Sequence, residues 1–375
     1  MIADPSSCAA AAGPEPSSPA CEWNDLSAAG SERWLRAFEG MPDADVYYHP
    51  GYARVLRSNG DGEPVCLVVR EGGGVLMLPF LVRSIDGGLL NRAGIGEALS
   101  DVSTPYGYGG PAFTRGEQSA ALLARYRDLA ACEFARRGVV AEFVRFHPVL
   151  QNHLGEQPGL ELLRRSQTVV WDLRDDPETL WGRMSRSARS SVRSAQRAGV
   201  RVEEDTGLRH LESFHRSYLE TMRRNQAASS YHYPLEFFRS TFEELRGMVS
   251  LFVALQGEEV VSAALILHRG PHAHYHFSGS SGTRPVPGAN NLLLHEIALW
   301  ARSRGTKTFH LGGGRSAGDS LFQFKTSFSP LHLDFWTGSA IHLPEAYERL
   351  CAAAAAGRDA AAPPVDPGFF PRYRA

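Results

Sequence analysis

Apolar and polar positions along the chain fall into one order of elements that occurs twice. The first copy opens with YYHPGYARVL, Tyr47 to Leu56. Two strand-like runs follow, PVCLVVR and GVLMLPFLVR, joined by EGG. Short apolar runs bounded by glycine and polar residues read as buried strands with a turn between them. A Gly/Pro loop (STPYGYGGP), a helix near Gln118–Arg137 and the strand VVAEFVRF complete this copy. The second copy opens with YHYPLEFF, Tyr231 to Phe238. Its runs SLFVALQ and VVSAALILHR are joined by GEE, and the strand HAHYHFSG, the loop GTRPVPG, a helix over Asn290–Arg304 and the strand KTFHL follow. Pro50 and Pro234 occupy corresponding places. This order implies an internal duplication, with ordinary α/β alternation as the other source of such a pattern. A hairpin, then a strand, a helix and a further strand, makes a mixed α/β sheet.

The flanks read differently. Residues 1–29 are rich in Ala, Pro, Ser and Gly, have little to bury, and read as a disordered tail. Near the other end, Tyr347–Ala356 reads as a helix that stops before Pro363, and Phe369, Phe370 and Tyr373 are apolar enough to dock back on the body. The expected division is a tail (1–29), a first domain (30–150), a second domain (151–345) and a C-terminal helix and tail (346–375).

Composition narrows the class without choosing a function. With 375 residues, 43% hydrophobic and 21% charged, the chain has room for two globular domains. A net charge of −2 excludes coating of nucleic acid by bulk charge but leaves room for a local basic patch. The cysteines at 8, 21, 66, 132 and 351 form no CxxC and suit reduced thiols. No apolar run approaches the roughly 18 residues of a membrane helix, and the N-terminus lacks a basic start with an apolar core, so a cytoplasmic protein without membrane insertion is expected. Neither GxGxxG after an early strand nor GxxxxGK[ST] occurs, which argues against dinucleotide and P-loop ATP sites.

Five segments carry candidate chemistry. A helix over Pro177–Ala198 places Arg186, Arg189, Arg193 and Arg197 on one face, where like charges repel unless a phosphate-rich ligand or acids such as Asp175, Asp176 and Glu178 meet them. In YLETMRRNQAASSYHYPLEFF, Arg223 and Arg224 close a helix beside Tyr231 and Tyr233; the group suits an anion and sugar clamp, or a helix end complementing its dipole. His272, His274 and His276 share one face of a strand, as cleft lining or, less readily, a zinc site, since no acidic or cysteine partner has suitable spacing. The RPVPGANNLLLHEIALWARSRG segment is a loop entering a helix, with Asn290 and Asn291 as candidate N-caps; such a loop is a place for an acyl-CoA pyrophosphate or an ordinary capped helix. In FHLGGGRSAGDSLFQFKTSF, three glycines lead to Arg315, Asp319 and an FxFKxxF cluster around Lys325. A lysine among aromatic side chains is partly desolvated, so its charge acts strongly on its neighbours, as an oxyanion stabiliser or as a snorkelling surface lysine.

Together, RSARSSVRSAQRAGV, TMRRNQ, ANNLLLHEIALWARSRG and HLGGG…FQFKTSF resemble the Fem-type aminoacyl-tRNA-dependent transferases of the GNAT superfamily. The resemblance covers Trp171–Trp336 well and Tyr47–Pro148 loosely, and FKxxF is its most specific element. It implies an α/β fold of two tandem GNAT-like domains with mixed sheets, and transfer of an aminoacyl group from charged tRNA to an amine acceptor, a cell-wall precursor or a small metabolite. It implies that Lys325 contacts the reacting end of the donor, that Arg223 or Arg224 binds acceptor phosphate, and that Tyr231 or Tyr233 lines the acceptor site; on the residue reading, Arg315 joins the substrate-binding candidates and the arginine helix holds RNA phosphates. No cofactor and no metal are expected, because the ester is already activated. Two departures from the family stand out: the long helical hairpin of some members has no counterpart, and no lysine precedes Lys307 to act as the early acceptor-binding lysine. The alternative is an acyl-CoA-dependent N-acyltransferase of the same superfamily, whose [QR]xxGx[GA] loop RPVPGAN matches poorly.

Overall fold

The computed structural model describes residues 21–114, 119–155, 157–283, 285–314, 318–358, 366 and 368–375. It divides into two compact units, residues 1–165 with 336–375, and residues 166–335. The C-terminal segment from Trp336 therefore belongs with the first unit, where the sequence reading expected the second domain to run on to 345.

The first unit begins with β1 (Cys21–Asn24) and α1 (Ala28–Glu39), so the expected tail over 1–29 gives way to structure at Cys21; the part before it lies outside the described residues. Next come α2 (Pro50–Ser58), β2 (Glu63–Glu71), β3 (Gly74–Ser84), α3 (Gly87–Arg92), β4 (Ser100–Ser103), β5 (Ala112–Phe113), α4 (Ser119–Arg136) and β6 (Val139–Arg145). β2 and β3 form an antiparallel hairpin, β4 pairs antiparallel with β3, and β6 lies parallel to β4. A parallel neighbour needs a crossover, and α4 supplies it. The hairpin strands are apolar almost without alternation because both faces are covered. Val65, Leu67 and Val69 meet Leu122, Tyr126 and Phe134 of α4 on one face.

The second unit repeats this plan. It contains β7 (Glu161–Asp172, from Ser166 onward), α5 (Pro177–Arg183), α6 (Arg186–Arg197), β8 (Val200–Glu204), α7 (Leu211–Arg224), α8 (Leu235–Glu244), β9 (Val249–Gln256), β10 (Glu259–Arg269), β11 (His272–Ser280), α9 (Ala289–Ser303), β12 (Thr308–Gly313) and α10 (Ser320–Thr326). β9 and β10 form the hairpin, β11 follows antiparallel, α9 crosses over, and β12 returns parallel to β11. The order of pairings matches the first unit, so the duplication expected from the sequence appears in the topology. The core is built from Trp171, Leu180, Val192, Phe252, Ile266, Leu293, Ile297 and Phe309, all buried.

β13 (His332–Ile341) carries the chain into the first unit, where Thr337–Ile341 pairs antiparallel with β6, and α11 (Pro344–Ala356) follows. Of the three aromatic residues expected to dock, two do: Tyr373 Oη donates to the buried Asp101 carboxylate at 3.0 Å and Phe370 stacks on Tyr347, whereas Phe369 is exposed. In the same unit Arg127 of α4 donates twice to buried Glu142 of β6, at 2.9 and 3.1 Å, and His342 reaches the same carboxylate at 3.2 Å. Burial alone would raise the Glu142 carboxyl; the Arg127 charge and His342 overcome it and hold it at about 2.

Candidate functional site in the second unit

The site grows from one break in pairing. β11 and β12 pair only from His272/Thr308 to His274/His310. Beyond that register β12 follows β7 instead, with Gly312 opposite Val169 and Gly313 opposite Thr168, while β11 runs on beside β10 to Ser280. Two parallel strands that stop pairing leave backbone groups beyond the last pair that no longer bond each other, the kind of place where open α/β sheets take ligands. His272 Nδ1 lies 2.7 Å from Thr308 Oγ1, and His274 Nδ1 lies 3.3 Å from His310 Nδ1. The imidazole row is thus engaged across the strands at its first two members. Burial, with His274 beside it, pushes the His276 ring down to about 3 and keeps it neutral.

At the end of β12 the glycines make a tight turn. Gly312 has φ +76°, and a Cβ on Gly314 would sit 2.3 Å from Asp319 Oδ1. Asp319 then caps α10 by accepting from Phe322 N at 2.8 Å. Lys325, in the last turn of α10, folds back so that Nζ donates to the Gly313 carbonyl at 2.6 Å. Its side chain is 7% exposed. Burial lowers its amine from 10.5 to about 8, with Asp319 acting weakly in the opposite direction. Phe328 anchors the turn in the core, 5.4 Å from Trp171 and 5.2 Å from Phe324. Lys325 is therefore a desolvated lysine rather than one snorkelling over a surface. Arg315 lies outside the described residues.

The far end of β11 meets α7. Arg224 Nη2 donates to Ser280 Oγ at 3.0 Å, and Gly282 N donates to Glu220 at 3.0 Å. Arg223 is exposed. Tyr231 is exposed on a 3₁₀ turn, whereas Tyr233 is buried, stacked 4.1 Å from Phe237 and packed on Phe277. Of the two tyrosines expected to line an acceptor site, only Tyr231 presents its ring to solvent.

The arginine helix departs from the sequence reading. In place of one helix over 177–198, α5 ends at Arg183, and Ser185 starts α6 by accepting from Ala188 N. The serine offers the backbone a local partner, which favours a cap over helix continuation. Arg189 Nη1 donates to the carbonyls of Trp181, Gly182 and Met184, satisfying the end of α5. It acts as a structural clasp. Two of the three acids expected to neutralise the row are engaged elsewhere, Asp175 with Arg183 and Asp176 as the cap of Thr179, while Glu178 lines the same surface hollow as Arg193. Arg186, Arg193 and Arg197 are exposed, and among the described residues none has an ion-pair partner.

α9 also starts differently from expectation. Its N-cap is Gly288, at φ +83°, and Asn290 lies inside the helix, accepting from Ser262 Oγ and Tyr275 Oη at 3.3 Å each. A Cβ on Gly288 would stand 2.1 Å from the Ser191 carbonyl oxygen of α6. α6 thus packs directly on the loop that enters α9. Sequence reading missed this contact and the capping role of Asp319; only an aspartate before the short apolar run SLF hinted at the latter.

An acetyltransferase (GNAT) domain profile matches residues 182–326. No curated protein matches the sequence. Among solved structures, FemX superposes on 87% of this chain and 99% of its own with a TM-score of 0.64 at 15% identity. A conserved protein of unknown function from Bacteroides thetaiotaomicron VPI-5482 covers 85% of this chain and 99% of its own, with a TM-score of 0.53 at 10% identity. The fold is a Fem-like GNAT fold, and the class defined by the domain match is an acyltransferase. Among the described residues no helix is long and apolar enough to cross a membrane.

Proposed function

We propose that this protein transfers an aminoacyl group from charged tRNA to an amine acceptor, a cell-wall precursor or a small metabolite. The observation that carries the reading is the position of α6. It bears Arg186, Arg193 and Arg197 without acid partners among the described residues, and it sets the Ser191 carbonyl against Gly288 at the start of α9. An acyl-CoA diphosphate needs a helix entrance lined with N–H donors; here Pro285 and Pro287 remove two of them from the loop that enters α9. An RNA backbone needs a row of cations, which α6 presents.

In the proposed reaction the acceptor amine attacks the ester carbonyl of the aminoacyl-tRNA. A C–N bond forms, and the carbonyl oxygen takes up negative charge in the tetrahedral intermediate. Lys325, an ammonium below a pH of about 8, has N–H donors beyond the one given to Gly313 and stabilises that oxygen. Collapse breaks the ester C–O bond, and the proton shed by the amine ends on the departing ribose oxygen. Transfer is direct, without an acyl-enzyme and without a cofactor. Arg223 and Arg224, with exposed Tyr231, are assigned to the acceptor, together with Arg315 on its place after the glycine turn in the sequence.

The test offers the protein labelled aminoacyl-tRNA and acetyl-CoA in parallel. Product formation from the tRNA that ribonuclease abolishes is expected. Consumption of acetyl-CoA alone would replace this reading with the acyl-CoA alternative.

A further inference from the structure

An open hollow of about 380 Å³ lies on the surface between α5, α6 and α9, away from the glycine turn and Lys325. Its walls include Glu178, Trp181, Arg193, Gln196, His295 and Leu299. The size falls at the lower end of ordinary small-ligand sites, about 300–1,000 Å³. We propose that this cavity holds an unpaired nucleobase of the RNA donor, with Arg186 and Arg197 on the flanking phosphates; the assignment rests on the tRNA reading above.

The walls carry planar groups that pack on one another, with Arg193 exposed. The Arg193 guanidinium lies 5.3 Å from the centre of the Trp181 ring, and the His295 ring stands edge-on to the same indole at 5.1 Å. Aromatic rings and guanidinium planes are the surfaces on which unpaired bases stack, whatever their sequence. Glu178 and Gln196 at the same cavity supply the acceptors and donors that a base edge needs, while the Glu178 carboxylate repels a phosphate placed inside. Phosphates therefore belong outside the bowl. Arg186, Arg193 and Arg197 project from one helix face and lack acid partners among the described residues, so the bowl sits in a field that attracts a polyanion. A duplex hides its base faces, so the cavity discriminates for single-stranded RNA.

The experiment measures fluorescence anisotropy of full-length protein with a labelled single-stranded RNA hexamer and with the same strand annealed into a duplex. Trp181→Ala and Arg193→Ala are expected to weaken single-strand binding by about tenfold, the scale of a lost stacking partner, and to leave duplex binding within about twofold. Trp181→Phe, which keeps a ring, retains most of the affinity. Arg193 is exposed, so its variant reports on the site even where Trp181→Ala fails to fold. Equal losses on single strand and duplex, or no loss on either, overturn the base site. If the wild type consumes charged tRNA while both variants bind the single strand unchanged, the cavity assignment falls and the transfer reaction stands. If the wild type binds no RNA and consumes acetyl-CoA, both fall.

Discussion

Lys325→Met separates chemistry from folding at one position. Methionine keeps the length of the stem and removes the amine. In the folded protein burial has moved that amine from 10.5 to about 8, a drop worth roughly 3 kcal/mol at 1.36 kcal/mol per pH unit. Below pH 8 the ammonium therefore destabilises the fold by about that amount. Between pH 8 and 10.5 the unfolded chain holds the proton and the folded one does not, so wild-type stability rises with pH across this window. The substitution removes that penalty but leaves the Gly313 carbonyl without its 2.6 Å donor, which costs about 1–3 kcal/mol. The two terms nearly cancel at pH 7. The variant is expected to unfold within about 2 kcal/mol of wild type by urea titration, and to lose the stability rise above pH 8. Transfer loses an oxyanion donor and falls by about 10²–10³-fold in kcat. Wild-type activity requires the ammonium, so it declines as pH passes 8. Less than a tenfold loss with the fold intact, or a wild-type stability that is flat from pH 8 to 10.5, would refute the role given to Lys325.

Further tests address the arginine helix, the core and the helix entrance. Arg189→Ala loses three backbone carbonyl bonds and is expected to cost about 1–3 kcal/mol in chemical denaturation, with little change in the salt dependence of RNA binding. Replacing Arg186 and Arg197 with Gln is expected to do the reverse, making the slope of log K against log salt shallower by about one to two while the melting temperature holds. Glu142→Gln breaks the buried contacts to Arg127 and His342 and is expected to destabilise by about 3–5 kcal/mol in urea titrations at pH 7. Because its carboxyl is held at about 2, the stability from this pair is complete above about pH 4.5 and fades as the pH falls toward 2, a loss the variant does not show. Gly288→Ala combines a φ of +83° with a clash against Ser191 and is expected to lower stability by more than about 1 kcal/mol in thermal unfolding.

Local patterning by itself determined a good deal of this protein. The hairpins, the crossover helices and their repetition were legible because strand and helix periods are written residue by residue, and the glycines and phenylalanines around Lys325 marked it as a candidate, though burial in the folded chain decided between a desolvated and a snorkelling lysine. The arginine row was legible as a face, but its sorting was not. Only the folded chain decided that Arg189 closes the end of α5 while Arg186, Arg193 and Arg197 stay open, because the carbonyls and acids that choose among them depend on how the helix breaks at Ser185. Tyr231 and Tyr233 look alike in sequence and part in the structure, since packing against Phe237 and Phe277 is a property of the assembled layer. The separation of β11 from β12, and the carbonyl of Ser191 set against Gly288, arise from residues distant along the chain. No local pattern encodes such approaches, because they are fixed only when whole elements pack and each buried backbone group must find its partner.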